Sequence, residues 1–283
     1  MVAGRIWPKC ADAQIAVSEV IKLSAPATRE FWEIPVLFED EHLLVLDKPA
    51  GLLTSPDRVE VERPSLMGLL HACIAAGKPW VRERALTYLC NAHRLDGETS
   101  GILLLAKTKP VLIQIANLFG SDRREQKFLA LVRGEPAETH FEVTVKLAPH
   151  PVTPGLMRAD FREGKAARTI FDVIEAFPRS GYALLACRPV TDRLHQILVH
   201  AAHVGLKIAG DERYGGKPLW LSRLKTDYRL KPGREERPLL ARTAIHAEQL
   251  TFEHPVTKAA VTLTAPWPKD FKVAVKYLRQ YSV

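Results

Sequence analysis

Nine consecutive residues, His93-Arg94-Leu95-Asp96-Gly97-Glu98-Thr99-Ser100-Gly101, make one short polar segment, and the apolar run Ile102-Leu103-Leu104-Leu105-Ala106 follows at once. A polar loop held by a buried strand is where catalytic groups are usually mounted, because the strand fixes them in space. Asp96 offers a carboxylate that could attack an electrophilic carbon, and Thr99 and Ser100 add two hydroxyls. Arg94, two residues before Asp96, could keep that carboxylate ionised, as a nucleophile must be. The same two residues could equally be a structural ion pair in a turn, and spacing alone does not separate the readings.

The elements around this loop follow from hydrophobic period and punctuation. Residues 42–47 read as a buried strand stopped by Lys48-Pro49-Ala50-Gly51. Residues 65–77 read as a helix capped by Ser65, with Leu66, Leu69, Leu70 and Cys73 on one face and Gly77 at its end. Residues 102–106 form a second buried strand, and residues 110–119 a helix that starts on Pro110. Further strands are expected over residues 127–133, 141–147, 169–176, 182–187, 245–252 and 260–263. A short helix is expected over 194–203 and a closing helix over 269–281. Residues 215–240 mix Gly, Pro and charge without a period and read as a loop. Strands outnumber helices and do not alternate with them, so the expected class is α+β with a mixed, mostly antiparallel sheet flanked by helices and loops. Residues 1–34 are weakly patterned and read as an N-terminal extension.

Bulk properties narrow the function classes. The chain has 283 residues, 47% hydrophobic and 25% charged, and so can bury a core without disulfide or metal staples. Cys10, Cys73, Cys90 and Cys187 are scattered and form no Cys-x-x-Cys pair, which excludes a zinc ribbon and suits a reducing cytoplasm. No signal peptide and no membrane-spanning run is visible. The net charge is +8. Residues 188–242 carry 12 Lys/Arg against 6 Asp/Glu, most of that excess. A solvated basic surface explains this, and so does a surface facing phosphates.

The whole segment from His93 to Gly101, with Ala106-Lys107-Thr108 after it, resembles the signature of the RluA-type RNA pseudouridine synthases. Three further motifs resemble that family in order and spacing. They are the stretch from Phe38 to Leu52 containing Asp47-Lys48-Pro49-Ala50-Gly51; Asp192-Arg193-Leu194-His195-Gln196-Ile197-Leu198-Val199-His200 with Gly210-Asp211-x-x-Tyr214-Gly215; and His246-Ala247 through His254-Pro255. The resemblance runs from about residue 35 to residue 271, so residues 35–283 are expected to be one catalytic domain with the family's bifurcated sheet. It implies that uridine in structured RNA, ribosomal or transfer, is flipped out of its stack, its glycosidic bond broken, and the uracil rotated and rejoined through carbon. Asp96 would be the nucleophile or a base at the ribose. Arg94 would hold the RNA, and His93 would support the loop or contact phosphate. Arg193, His195 and Gln196 match the family's third motif and are expected on the substrate side. No cofactor, metal or obligatory protein partner is implied. His195, His200 and His203 lack a third ligand and are expected to be satisfied polar or RNA-facing groups.

Two departures from the family pattern bear on chemistry. Phe128 stands where the family usually has a tyrosine that stacks on the flipped base; stacking survives this change and the hydroxyl does not. The family's third motif reads Gly-Arg-Thr-His-Gln-Ile-Arg-Val-His, so Leu198 stands where a basic residue should pair with the catalytic carboxylate. A leucine cannot do so. Either Arg94, Arg188 or Arg193 substitutes, or the protein is an RNA-binding relative with impaired catalysis. A third reading is an Asp-dependent hydrolase acting on nucleosides or phosphoesters.

Overall fold

The computed structural model describes residues 20–57, 61–119, 124–230 and 232–282. The described residues begin with β1 (Val20–Ala25), β2 (Glu30–Glu39), β3 (Leu43–Lys48), α1 (Leu66–Ala75), α2 (Pro79–Glu83), β4 (Cys90–Asn91), β5 (Ser100–Ala106) and α3 (Lys109–Phe119). Next come β6 (Arg124–Arg133), β7 (His140–Thr144), β8 (Lys146–Pro149), β9 (Met157–Asp160), β10 (Arg168–Phe177) and β11 (Tyr182–Pro189). They close with α4 (Gln196–His203), β12 (Lys207–Ile208), α5 (Leu221–Leu224), β13 (Ile245–Glu253), β14 (Ala260–Thr264) and α6 (Lys269–Tyr281). The chain divides into two compact units: Met1–Gln126 with Gln249–Ala265, and Lys127–Glu248 with Pro266–Val283. No helix among the described residues is long and apolar enough to cross a membrane.

In the first unit β1, β2, β3 and β5 make an antiparallel ladder, with Leu43 opposite Ala106 and Lys48 opposite Gly101. On its other side β5 takes the short strand β4, Asn91 facing Leu105. The apolar runs at 43–46 and 102–106 are continuous because both faces are covered: all of these residues are buried. Leu43, Val45, Ile102 and Leu104 pack with Val111 and Ile115 of α3 and with Leu250, Phe252 and Val261 of the β13–β14 hairpin. A polar clasp joins the turns of this core. Asp40 accepts from the amides of His42 and Leu43, each at 2.7 Å, and from His254 Nε2 at 2.9 Å.

In the second unit β6, β11, β10 and β7 form a second antiparallel ladder, and β12 pairs with the end of β6. The hairpin β8–β9 stands apart from that ladder. Helix α6 buries Phe271, Ala274, Val275 and Leu278, and its Asp270 takes both Arg242 Nε (2.8 Å) and Nη2 (3.2 Å).

The fold is therefore the α+β arrangement with mostly antiparallel sheet that the sequence predicts, with particular differences. Within the expected extension the described residues form strand: β1 alternates buried Ile21, Leu23 and Ala25 with exposed Val20, Lys22 and Ser24, and pairs with β2. Residues 1–19 lie outside the described residues. The expected strand over 141–147 is two strands, because the chain leaves the β7–β10 pairing at Val145. Helix α1 is capped by Ser65, whose hydroxyl accepts from Gly68 N at 3.2 Å, but it buries Met67 where Leu69 and Cys73 were expected. Within 215–240 the structure adds the single turn α5.

Candidate active site

The segment that carries Asp96 joins β4 to β5 in the first unit. Its shape is set by the loop that follows β3. Lys48 is the last residue of β3 and has no exposed surface. Its ammonium donates to the carbonyls of Leu52 (2.6 Å), Pro49 (2.9 Å) and Gly97 (3.1 Å). Gly51 N also donates to Gly97 O, at 2.9 Å. Gly51 makes this turn at φ +86°, where a side chain would be strained. Thr54 exchanges two bonds with Leu95: its hydroxyl donates to Leu95 O at 2.7 Å and accepts from Leu95 N at 3.1 Å. Arg63 spans the pair of loops, donating to Gly51 O and to Glu98 Oε1, both at 3.0 Å. The residues on either side of Asp96, Leu95 and Gly97, are thus both fastened.

Asp96 itself is half-buried. Its main-chain carbonyl accepts from Thr99 N at 2.9 Å, closing a turn. Among the described residues of its unit, its carboxylate takes no hydrogen bond and no ion pair. Arg94 is exposed, and the structural ion pair between Arg94 and Asp96 does not form. Leu95 between them is buried at 5% exposure.

His93 supports the loop. It is 7% exposed and stacks on Phe119 with ring centroids 4.9 Å apart. Its Nε2 accepts from Leu104 N in β5 at 3.1 Å, so the ring is neutral, with its proton on Nδ1. Burial, reinforced by the nearby Arg124 charge, pushes its pKa down to about 3. Of the two roles expected for His93, loop support fits this environment. A phosphate contact does not, since it would call for an accessible and charged ring. Asp47, beside Lys48, has its pKa raised to about 6 by burial, with Lys48 pulling the other way.

The remaining residues expected at the site belong to the second unit. Phe128 lies on β6 opposite Cys187 and is 7% exposed. Arg193 Nε donates to Ala166 O and its Nη1 to Asp192 O, both at 3.2 Å. His195 precedes α4 in the left-handed region, φ 55°, which starts that helix two residues later than the periodicity suggests. Its ring lies 2.7 Å from the Tyr214 hydroxyl, while Arg213 Nη1 approaches the other ring nitrogen at 3.3 Å. Gln196 is 4% exposed and its amide is fully engaged, with Thr191, Thr169 and the carbonyl of Arg168. That occupies the groups it would need to touch a substrate, so Gln196 is a framework residue tying α4 to β10. His200 is likewise internal, bonding Thr169 and Val145 O. Leu198 is buried in α4 at 3% exposure. Arg188 pairs with Asp172. Lys48, Thr54 and Arg63 were not singled out as site residues by sequence; the signal available was Lys48 closing an apolar run.

Comparison with known proteins bears on the whole of this arrangement. A family profile described as RNA pseudouridylate synthase matches residues 42–203. "Ribosomal large subunit pseudouridine synthase D" of Zymomonas mobilis is 31% identical over 262 residues, 91% of this chain and 77% of that protein. "Ribosomal large subunit pseudouridine synthase C" of Salmonella typhi is 32% identical over 250 residues, 86% of this chain and 70% of that one. Among solved structures, human RNA pseudouridylate synthase domain containing 4 superposes with a TM-score of 0.62 at 22% identity, covering 86% of this chain and 92% of its own.

Two outcomes are expected from this geometry. Lys48→Met leaves the carbonyls of Pro49 and Leu52 without their donor, and an unmade buried acceptor costs roughly 1–3 kcal/mol. The variant should lose about 2 kcal/mol or more in urea unfolding and exchange the Gly51 and Leu95 amides faster; unchanged exchange would show that Lys48 does not hold the loop. The folded pKa of His93 lies below its ordinary value, so its contribution is fully present above about pH 6.5 and is lost as pH falls toward 3. Asp47, raised in the folded state, acts oppositely between about pH 6 and 4. Comparing wild type with His93→Gln isolates the histidine. The stability difference should change by up to about 1.4 kcal/mol per pH unit below 6.5, and a pH-independent difference would contradict a neutral buried ring.

Proposed function

The chain belongs to the RNA pseudouridylate synthase family, and from that premise we propose that it isomerises uridine to pseudouridine in ribosomal large-subunit RNA, with Asp96 as the nucleophile. The observation that carries this reading is the state of Asp96: a half-buried carboxylate, unpaired among the described residues of its own unit, on a loop fastened on both sides. A carboxylate so held keeps its lone pairs for a substrate and loses little freedom when one arrives. The large-subunit RNA substrate is taken from the names of the relatives.

In the reaction the uridine N1–C1′ bond breaks and a C5–C1′ bond forms. The proton leaves C5 and a proton is taken up at N1, so no atoms are gained or lost. Asp96 attacks the ribose or takes a proton from it. Arg94, exposed at the rim of the loop, binds the RNA and fills the space of the flipped nucleotide. Phe128 gives the base an apolar neighbour without the hydroxyl of the family's tyrosine. Arg193 and His195 act on the RNA from the turn before α4.

A second reading, an RNA-binding relative without turnover, is favoured by Leu198. It is buried where the family places a cation, and the guanidinium groups of Arg188 and Arg193 already have acceptors in their own unit. Mapping pseudouridine in large-subunit RNA after incubation with the protein separates the two readings; the absence of any new pseudouridine favours the second. Asp96→Asn should abolish isomerisation and leave the melting temperature in place. Turnover within about tenfold of wild type, some 1.4 kcal/mol of barrier, would remove Asp96 from the reaction. Leu198→Arg restores the family's residue and should raise the single-turnover rate of protein shown to be folded. Leu198→Met, which adds no charge, should leave that rate alone; a rate lowered by the arginine and not by the methionine would mean that the site already has its cation.

A further inference from the structure

At the end of β6, in the second unit, lies a groove of about 770 Å³. Arg133 closes β6, facing Tyr182 at the start of β11 on one side and Lys207 of β12 on the other. Lys217, Trp220 and Arg223 line the same groove. The turn before them is built for close approach: a side chain at Gly216 would meet the Ile208 carbonyl at 1.8 Å, so backbone alone fills that position. Phe128 lies five residues from Arg133 on the same strand, about 17 Å away at the rise of a β-strand. The groove is therefore not the place where a base would stack on Phe128.

What marks this groove is unpaired cations gathered beside aromatic rings in one lining. Arg158, Arg168, Arg188, Arg242 and Arg279 each pair with a carboxylate. Arg133, Lys217 and Arg223 are exposed and, among the described residues, make no side-chain hydrogen bond or ion pair. One carboxylate, Glu212, shares the lining with these three cations. Unpaired cations beside half-buried aromatic rings, Trp220 and Tyr182, are the chemistry of a single-stranded polynucleotide track: phosphates on the cations, a base on the indole. A duplex would leave the rings unused, since its bases are stacked inside.

We propose that this groove is a second RNA-docking site, which takes a single-stranded segment remote from the target uridine, with its phosphates on Arg133, Lys217 and Arg223 and a base on Trp220. The choice of RNA as the polyanion rests on the family reading. The site fixes which RNA is held and in what orientation, and does not touch the reacting atoms.

The test uses the full chain and a labelled twelve-nucleotide oligoadenylate, which contains no uridine and so reports docking apart from isomerisation. Affinity is measured by fluorescence anisotropy across a salt series. Replacing Arg133, Lys217 and Arg223 together by Gln should weaken binding at least about tenfold and flatten the slope of log affinity against log salt by about 2, at roughly 0.7 per phosphate contact on a single strand. Trp220→Ala should weaken binding at least about fivefold, and Trp220→Phe, which keeps a stacking ring, should stay within about threefold of wild type. Unchanged affinity and slope in the triple variant overturns the proposal, and so does indifference to Trp220→Ala in folded protein. If pseudouridine never forms yet the oligoadenylate results hold, the function proposed above fails and this site stands.

Discussion

A positive charge without solvent is the constraint on which the first unit turns. Moving an ammonium out of water is among the most unfavourable steps a fold can take, and it is tolerated only where oxygen ligands replace the lost hydration. Lys48 meets that condition by drawing three carbonyls to one point, two from its own turn and one from the loop that bears Asp96. The bonds of Gly51, Thr54 and Arg63 then fix the remaining freedom of that loop. Because backbone is held at Leu95 and Gly97, the side chain between them needs no partner of its own in the loop to hold its place.

The second unit solves a different problem with similar means. Its helix α4 begins abruptly, at a histidine in the left-handed region, and the polar groups around that start are joined to the sheet and to the turn at Tyr214. Gln196 and His200 are both internal ties of α4. Residues that look like substrate ligands in a motif can therefore belong to the frame. What distinguishes them is whether their donors and acceptors are already taken, as they are at Gln196.

Sequence revealed the elements whose burial leaves a local trace. The runs at 43–46 and 102–106 are legible because strands covered on both faces are continuous in apolar residues. β1 has a clean alternation over six residues, but in a weakly patterned region it was too short to stand out. Nothing local marks the break at Val145, since a buried valine there continues the alternation of β7. The polar segment at 93–101 was legible as a loop leading into a buried strand from its composition. Its fastening was not, because Lys48 and Thr54 act on residues more than forty positions away. The Arg94–Asp96 pair shows the converse: nearness in sequence suggested a contact that the loop does not make.

The span of those bonds has a consequence for how the molecule comes into being. Lys48 reaches Gly97 across 49 residues and Thr54 reaches Leu95 across 41. Closing such distances loses chain entropy before any contact returns it, so non-local contacts form late relative to helices and tight hairpins. β4 and β5 can pair, and α1 and α3 can coil, while the loop between β4 and β5 is still unset. Only when β3 has docked against β5 does the ammonium find its third carbonyl. On a newly made chain, secondary structure and compactness therefore arise ahead of the shape of the loop, and the setting of Asp96 is the last property the first unit acquires.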